Sequence, residues 1–336
     1  MENVVETNVV KKVIKKDKKK YEWNIFSIIL CVSLIIYTIS FVIPLFWGLI
    51  TSLKSSYQFE VMGDVIGLPN LEMWNKEIDK EIRGNLFGNY IIALRDFQVS
   101  RKTQYVVGVW NQKLVQAENT ANMLECAMHT LIYALGCTLS FLVVTVSVGY
   151  LAAKYRYPFS DFIYAIVIFC IVMPLTNTQP AMIELLRQLR IFNTHFSMIL
   201  TGASFRSMYF LIFYGFFKDL PNTYNEAAEI DGASQLATMV RICVPLASKM
   251  ISTIILIQFV AAWNNYTTPM MYLPTKHTLA YAVYYAIQYS GSTSMKLDKT
   301  TRKVTCLMAL AVPILILFIF LKNKLMGNIS IGGIKE

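Results

Sequence analysis

Long apolar runs alternate with polar stretches along the whole chain, and the runs have membrane-spanning length. From Trp23 to Leu53 no charged residue occurs, enough to cross the about 30 Å of bilayer hydrocarbon as a tilted helix. This run is far too long for the core of a signal peptide and no small-residue cleavage site is evident, so it predicts an uncleaved first span. Pro44 predicts a kink in it, tolerable where neighbouring helices satisfy the freed carbonyl. Further spans are predicted over 127–153, 163–175, 196–217, 250–273 and 304–321. The fold class expected is therefore an all-α integral membrane protein with six transmembrane helices and both termini on one side.

The polar stretches divide the chain further. Residues 1–22 read as a basic tail without a core-forming pattern. Residues 23–53 form the first span, and 54–125 an insert expected outside the membrane. Within the insert, Asn70 followed by Leu71, Trp74, Ile78 and Ile82 predicts a capped amphipathic helix. The stretch from Gln104 to Trp110 reads as a strand, so a small outward-facing cap domain is expected. Residues 126–322 carry the other five spans, with the polar loop 218–249 between the fourth and fifth, and 323–336 form a C-terminal tail.

Composition supports this reading: 55% of residues are hydrophobic, 15% are charged, and mean hydropathy is +0.46, values of an integral membrane protein. The formal charge of +10 could suggest a nucleic-acid partner, but seven lysines crowd into Lys11 to Lys20, directly before the first span. That is the positive-inside signal, and it suits anionic lipid head groups rather than nucleic acid. With Lys154, Arg156 and the C-terminal lysines it places both termini in the cytoplasm. Lys296, Lys299, Arg302 and Lys303 run against the rule, because they precede the sixth span on the outer side.

The six cysteines lie in or beside apolar runs without a Cys-x-x-Cys pair, and the three histidines are far apart. Neither set predicts a disulfide framework or a metal site. No nucleophile elbow or His-Glu-x-x-His motif occurs. No Walker A sequence occurs either, so the chain cannot itself cradle ATP phosphates. No enzyme site is expected, and no cofactor bound by this chain.

The longest polar break of the second half runs from Tyr224 to Lys249. Thr223 with Glu226 three residues on predicts a capping box. Ala227 and Ala228 give the resulting short helix a small-residue face. Asp231-Gly232 predicts a stop and a turn with positive φ at the glycine. Ser234 is placed to cap a second helix, and Pro245 marks the start of the next apolar segment.

These residues resemble the Glu-Ala-Ala loop of bacterial ABC importer permeases. In that family Glu-Ala-Ala is followed by three residues and Gly, then nine residues, Ile, one residue and Leu-Pro. Glu226-Ala227-Ala228, Gly232, Ile242 and Pro245 fall at those spacings, with Val244 in the leucine place. Asp231-Gly232-Ala233-Ser234 and the later Trp263-Asn264-Asn265-Tyr266 with Pro269 are similar to the carbohydrate branch, specifically the maltose-type second permease subunit. The resemblance covers most of the chain from Thr51 onward and weakens over the insert, where the family has a shorter loop.

The resemblance implies the type I ABC importer permease fold, with an enlarged outer loop after the first helix, in a bacterial plasma membrane. It implies a homologous second permease, two separate ATPase subunits that hold ATP and Mg, and an external sugar-binding protein. ATP binding would close the ATPase pair, pull the coupling helices together and open the path outward. It assigns ATPase coupling to Glu226, Ala227, Ala228, Asp231, Gly232 and Ala233. Glu226 also reads as the reciprocal half of its own capping box, and Asp231 as a cap. Trp263, Asn264, Asn265 and Tyr266 read equally as lining of a sugar path and as interhelical packing. Arg206, inside the fourth run, either faces a polar interior or snorkels to the interface. A permease for another solute, such as a polyamine, shares the same loop. A secondary transporter would need carboxylates for ion coupling, and the predicted spans contain essentially none.

Overall fold

Helix α1 (Ile25–Ser52) realises the first predicted span, with Pro44 inside it. The computed structural model describes residues 24–77, 82–107, 113–155, 158–173, 178–289 and 299–326. The basic tail, Arg156 and Tyr157, Pro174, the stretch 290–298 and residues 327–336 lie outside the described residues. The chain divides into two units, residues 1–48 and 49–336. In the first, the hydroxyls of Ser33, Thr38 and Ser40 donate to the carbonyls of Leu30, Leu34 and Tyr37 one turn back. Their polarity is thus spent within the helix, as a hydrocarbon environment requires.

The second unit opens with the insert. Residues 57–61 form a π-helical turn, followed by α2 (Leu71–Trp74) and α3 (Gly88–Asp96). Strands β1 (Gln98–Val107) and β2 (Lys113–Asn122) pair antiparallel from Gln98↔Asn122. Apart from this hairpin the described residues form helices and their connections, as the all-α expectation has it, and β1 includes the predicted strand as far as Val107. The amphipathic helix expected from Asn70 is a single turn. Asn70 caps it by accepting from the Glu72 N–H, but Trp74 is fully buried, its indole N–H donating to the Leu53 carbonyl at 3.1 Å. Anchoring the tryptophan inward draws the chain away from a surface helix.

Trp74, Ile82, Ile92, Phe97 and Val99 share one apolar cluster with Phe259, Trp263, Leu279 and Cys306. The insert is therefore built onto the apolar helices and continues their core. Its polar ties run the same way. Lys54, fully buried, lies 2.8 Å from the Asp64 carbonyl. The Asn89 amide donates to the carbonyls of Ser52 and Lys54. The Gln58 amide and the Gly67 N–H, with Lys54 nearby, hold the Asp64 carboxyl below its usual range.

Helix α4 (Met123–Lys154) is the long axis of this unit. Against it pack α7 (His195–Gly202), α8 (Met208–Asp219) and α12 (Ser248–Asn264). Gly149 permits the approach of α8, since a Cβ there would lie 3.1 Å from the Phe213 Cβ. Between these elements stand α5 (Pro158–Val172) and α6 (Gln179–Gln188). After α8 come α9 (Thr223–Ile230), α10 (Gln235–Thr238), a π-helical turn at Met239–Cys243 and α11 (Val244–Leu246). The chain ends in α13 (Thr267–Tyr272), α14 (Leu279–Gln288) and α15 (Thr300–Met326).

Among the described residues three helices are long and apolar enough to cross a membrane: α1, α4 and α15 through Phe320; the pair Gln235–Leu246 and Ser248–Asn264, bent by 79°, makes a fourth if taken as one span. The predicted third span is a 15-residue helix. The predicted fourth is two helices, because the backbone leaves helical geometry at Ala203 (ψ 69°) and is extended at Ser207. Small polar residues occupy this break, and the Thr145 hydroxyl satisfies the Ser204 carbonyl at 3.1 Å.

Two of the basic residues around the start of α15 have acidic partners in the insert. Lys299 lies 2.8 Å from Glu60, and the Thr300 N–H donates to the same carboxylate. Arg302 lies 3.8 Å from Glu77, whose other oxygen accepts from the Ser56 N–H.

Candidate functional site

The loop after α8 is a helix–turn–helix. Helix α9 begins where the sequence predicts but without the capping box. Asn222 takes the cap position in helical conformation (φ −68°, ψ −17°) and its side chain makes no cap bond. Its Oδ1 accepts from the Lys154 ammonium at 3.2 Å instead, so the helix start is held by a tertiary contact. At the other end Gly232 takes φ +72°. Its N–H donates to the Glu229 carbonyl and that of Ala233 to the Ala228 carbonyl, the paired bonds of a Schellman cap. The Ser234 hydroxyl caps α10 through the Ala237 N–H, as predicted.

Glu226, Ala227 and Asp231 are exposed, Ala233 is half-buried and Ala228 is buried. The two alanines thus divide: Ala228 packs inward and Ala227 faces outward. Ile230 and Leu236 add apolar surface, 86% and 67% exposed. Beneath the loop, Val146, Tyr150, Phe213, Phe217, Cys243 and Ile254 form a buried cluster. Lys154, at the end of α4, donates to the Leu220 carbonyl at 2.6 Å as well as to Asn222. The spacing in the sequence gave no sign of this clamp, because its partners lie 66 and 68 residues away.

The Trp263–Tyr266 group is dispersed. The Trp263 indole is buried and donates to the Leu310 carbonyl at 3.1 Å. Asn264 is exposed, its amide bonded to Val260 within α12. Tyr266 stacks on Tyr284 with ring centroids 4.2 Å apart. Asn265, at the end of α12, brackets Thr268 by two hydrogen bonds of 3.0 Å and lines a cavity of about 270 Å³. Thr138, Thr201 and Gln258 line it too. The sequence signal for these residues was slight: single polar side chains inside apolar runs. Arg206 is exposed in the break between α7 and α8, its N–H donating to the Ser204 hydroxyl.

Residues 145–329 match the family described as binding-protein-dependent transport system inner membrane component. The chain belongs to that family. The matched region contains the whole loop from α8 to α12 and leaves out the insert. The chain is 22% identical over 302 residues to the diacetylchitobiose uptake system permease protein NgcG of Streptomyces coelicolor, covering 89% of this chain and 86% of that protein. It is 24% identical over 191 residues to the arabinooligosaccharides transport system permease protein AraQ of Halalkalibacterium halodurans, covering 56% of this chain and 66% of that one. The fold matches a chain from the crystal structure of a bacterial ABC transporter involved in the import of the acidic polysaccharide alginate, with a TM-score of 0.66 at 19% identity, over 89% of this chain and 96% of that one. As a member of this family the chain is a component of a transport system in the bacterial inner membrane, not itself a catalyst.

Proposed function

We propose that this chain is a permease subunit of an ATP-driven carbohydrate importer, forming half of the translocation path. The observation that carries the reading is the capped helix α9, which presents Glu226 and Ala227 outward from a loop clamped to the end of α4. A chain with such a loop but no phosphate-binding motif takes its energy from another subunit. Two ATPase subunits holding ATP and Mg supply it, each receiving one α9-type helix in a cleft. Glu226 makes the polar contact, Ala227 and the exposed Ile230 make the close apolar one, and Ala228 seats the helix on the core. Gly232, with Asp231 and Ala233, fixes the turn that sets the angle of α9.

A homologous second permease completes the path, and an external binding protein delivers the solute. The carbohydrate class is supported by the oligosaccharide systems to which the two relatives belong. Six spans, with α5 the third and α7 with α8 a broken fourth, place both termini and the α9 loop in the cytoplasm and the insert outside. The pairing of Lys299 and Arg302 with insert carboxylates supports this orientation, because it offsets two of the four basic residues that otherwise oppose it.

The test is co-purification of detergent-solubilised wild type and of a Glu226→Lys, Gly232→Pro double variant, with partners identified by mass spectrometry. The wild type is expected to bring down an ATPase, a second permease and a binding protein. The double variant is expected to keep the permease and lose the ATPase. Folded wild-type protein that captures no ATPase refutes the coupling reading.

A further inference from the structure

Two breaks in helical backbone meet at one cavity. One is the C-terminal end of α7, at Thr201 and Gly202; the other is the junction of α12 and α13, at Asn265 and Thr268. Thr138, at the midpoint of α4, and Gln258 of α12 complete the polar lining. Irregular backbone at membrane depth persists only where protein buries it or where it lines a polar cavity, and interrupted helices there are a recurrent mark of a transported solute. A second cavity of about 270 Å³ shares Thr201 and Thr268 with the first and continues the polar lining through Thr178 and Gln179.

The lining of the first cavity mixes hydroxyls and amides with apolar side chains and carries no charged one. Hydroxyls and amides suit a neutral polyol; a polyamine or an anionic solute would need a counter-charge to offset its desolvation. Tyr133 and Phe141 add aromatic surface for the apolar side of a sugar ring. The volume, about 270 Å³, fits one ring better than a whole oligosaccharide. The Thr138 hydroxyl is buried and has no hydrogen-bond partner among the described residues. Such a group in an apolar surrounding is costly unless something else satisfies it.

We infer that this cavity is a subsite for a single ring of a neutral sugar, in which Thr138 and Gln258 hold the hydroxyl groups of the solute in transit. The inference rests on the carbohydrate-permease reading above and goes further, assigning sugar contact to this subunit.

Uptake is measured in cells producing the complete importer, with labelled diacetylchitobiose, arabinotriose, maltotriose, an alginate oligosaccharide and spermidine as probes. Wild type is expected to take up a neutral sugar. Thr138→Val, which removes the unpartnered hydroxyl and no internal hydrogen bond, is expected to raise KM about 2- to 10-fold, the worth of one hydrogen bond. Thr138→Ser is expected to restore it. Ala261→Trp, at an exposed position on the cavity wall, is expected to lower the maximal uptake rate while ATP hydrolysis continues. Wild-type kinetics in both the valine and tryptophan variants, at wild-type membrane levels, overturn the subsite and leave the coupling reading standing. Uptake of only the charged probes overturns the neutral-sugar assignment. A wild-type importer that takes up none of the probes in an ATP-dependent way removes the carbohydrate reading and the subsite with it.

Discussion

Replacing Lys154 by methionine separates the end of α4 from the loop that carries α9 while leaving most of the aliphatic stem in place. The ammonium lies 2.6 Å from the Leu220 carbonyl and 3.2 Å from Asn222 Oδ1. Leu220 is the C-cap of α8, where the helix dipole adds to the attraction for a cation. A hydrogen bond from a charged donor contributes about 1.5–3 kcal/mol when well shielded. Lys154 is half-buried, so screening brings the loss for the pair to about 1–2 kcal/mol. That corresponds to about a 5- to 30-fold shift of the loop from clamped to released. A released loop can still dock on an ATPase but transmits its movement poorly to α4. The assay is the number of ATP molecules hydrolysed per solute imported in proteoliposomes holding the complete complex. Lys154→Met is expected to raise that ratio several-fold with assembly intact, and Lys154→Arg to fall between it and wild type. A methionine variant that transports and hydrolyses as wild type does would refute the clamp as a coupling element.

Two further outcomes follow from local geometry. Gly232→Ala forces a side chain into the left-handed region at φ +72°, at a cost of about 1–2 kcal/mol. It should weaken ATPase retention in co-purification, with Gly232→Asn closer to wild type. Glu77→Gln removes the carboxylate beside Arg302 in a pair only 6% and 13% exposed. Broken buried pairs lose up to about 3–5 kcal/mol, and the 3.8 Å separation places this one lower, at about 1–3 kcal/mol. The melting temperature of the detergent-solubilised protein should fall, and no change would show that Arg302 is held by other groups.

The parts of the structure legible in the sequence are those set by local chemistry. The apolar runs of α1, α4 and α15, the positive φ of Gly232 and the Ser234 cap depend on residues within a few positions of one another. The Asn70 cap was legible for the same reason, but the length of its helix was not, because Trp74 finds its partner at Leu53. The capping box at Thr223 is absent because Thr223 is itself the first helical residue and Asn222 holds the cap position, its side chain bonded to Lys154 far back in the chain. Among the candidate path residues, Asn265 lines the cavity, whereas Trp263 bonds to Leu310 and Tyr266 stacks on Tyr284. Adjacent positions in a sequence cannot distinguish those fates. Thr138 and Thr201 join one cavity only because α4 and α7 pack together, which no periodicity of either segment reveals.

The pairing of Glu60 with Lys299 and Thr300 spans 240 residues in the case of the threonine, and this separation bears on how the chain is made. The insert leaves the ribosome long before the last span does. On the orientation proposed above, its carboxylates already stand outside when Lys299 and Arg302 are synthesised, and two positive charges that alone would favour retention in the cytoplasm find fixed counter-charges across the membrane. On that orientation the counter-charges of the insert are made before the last helix, and the order of synthesis would bear on the topology.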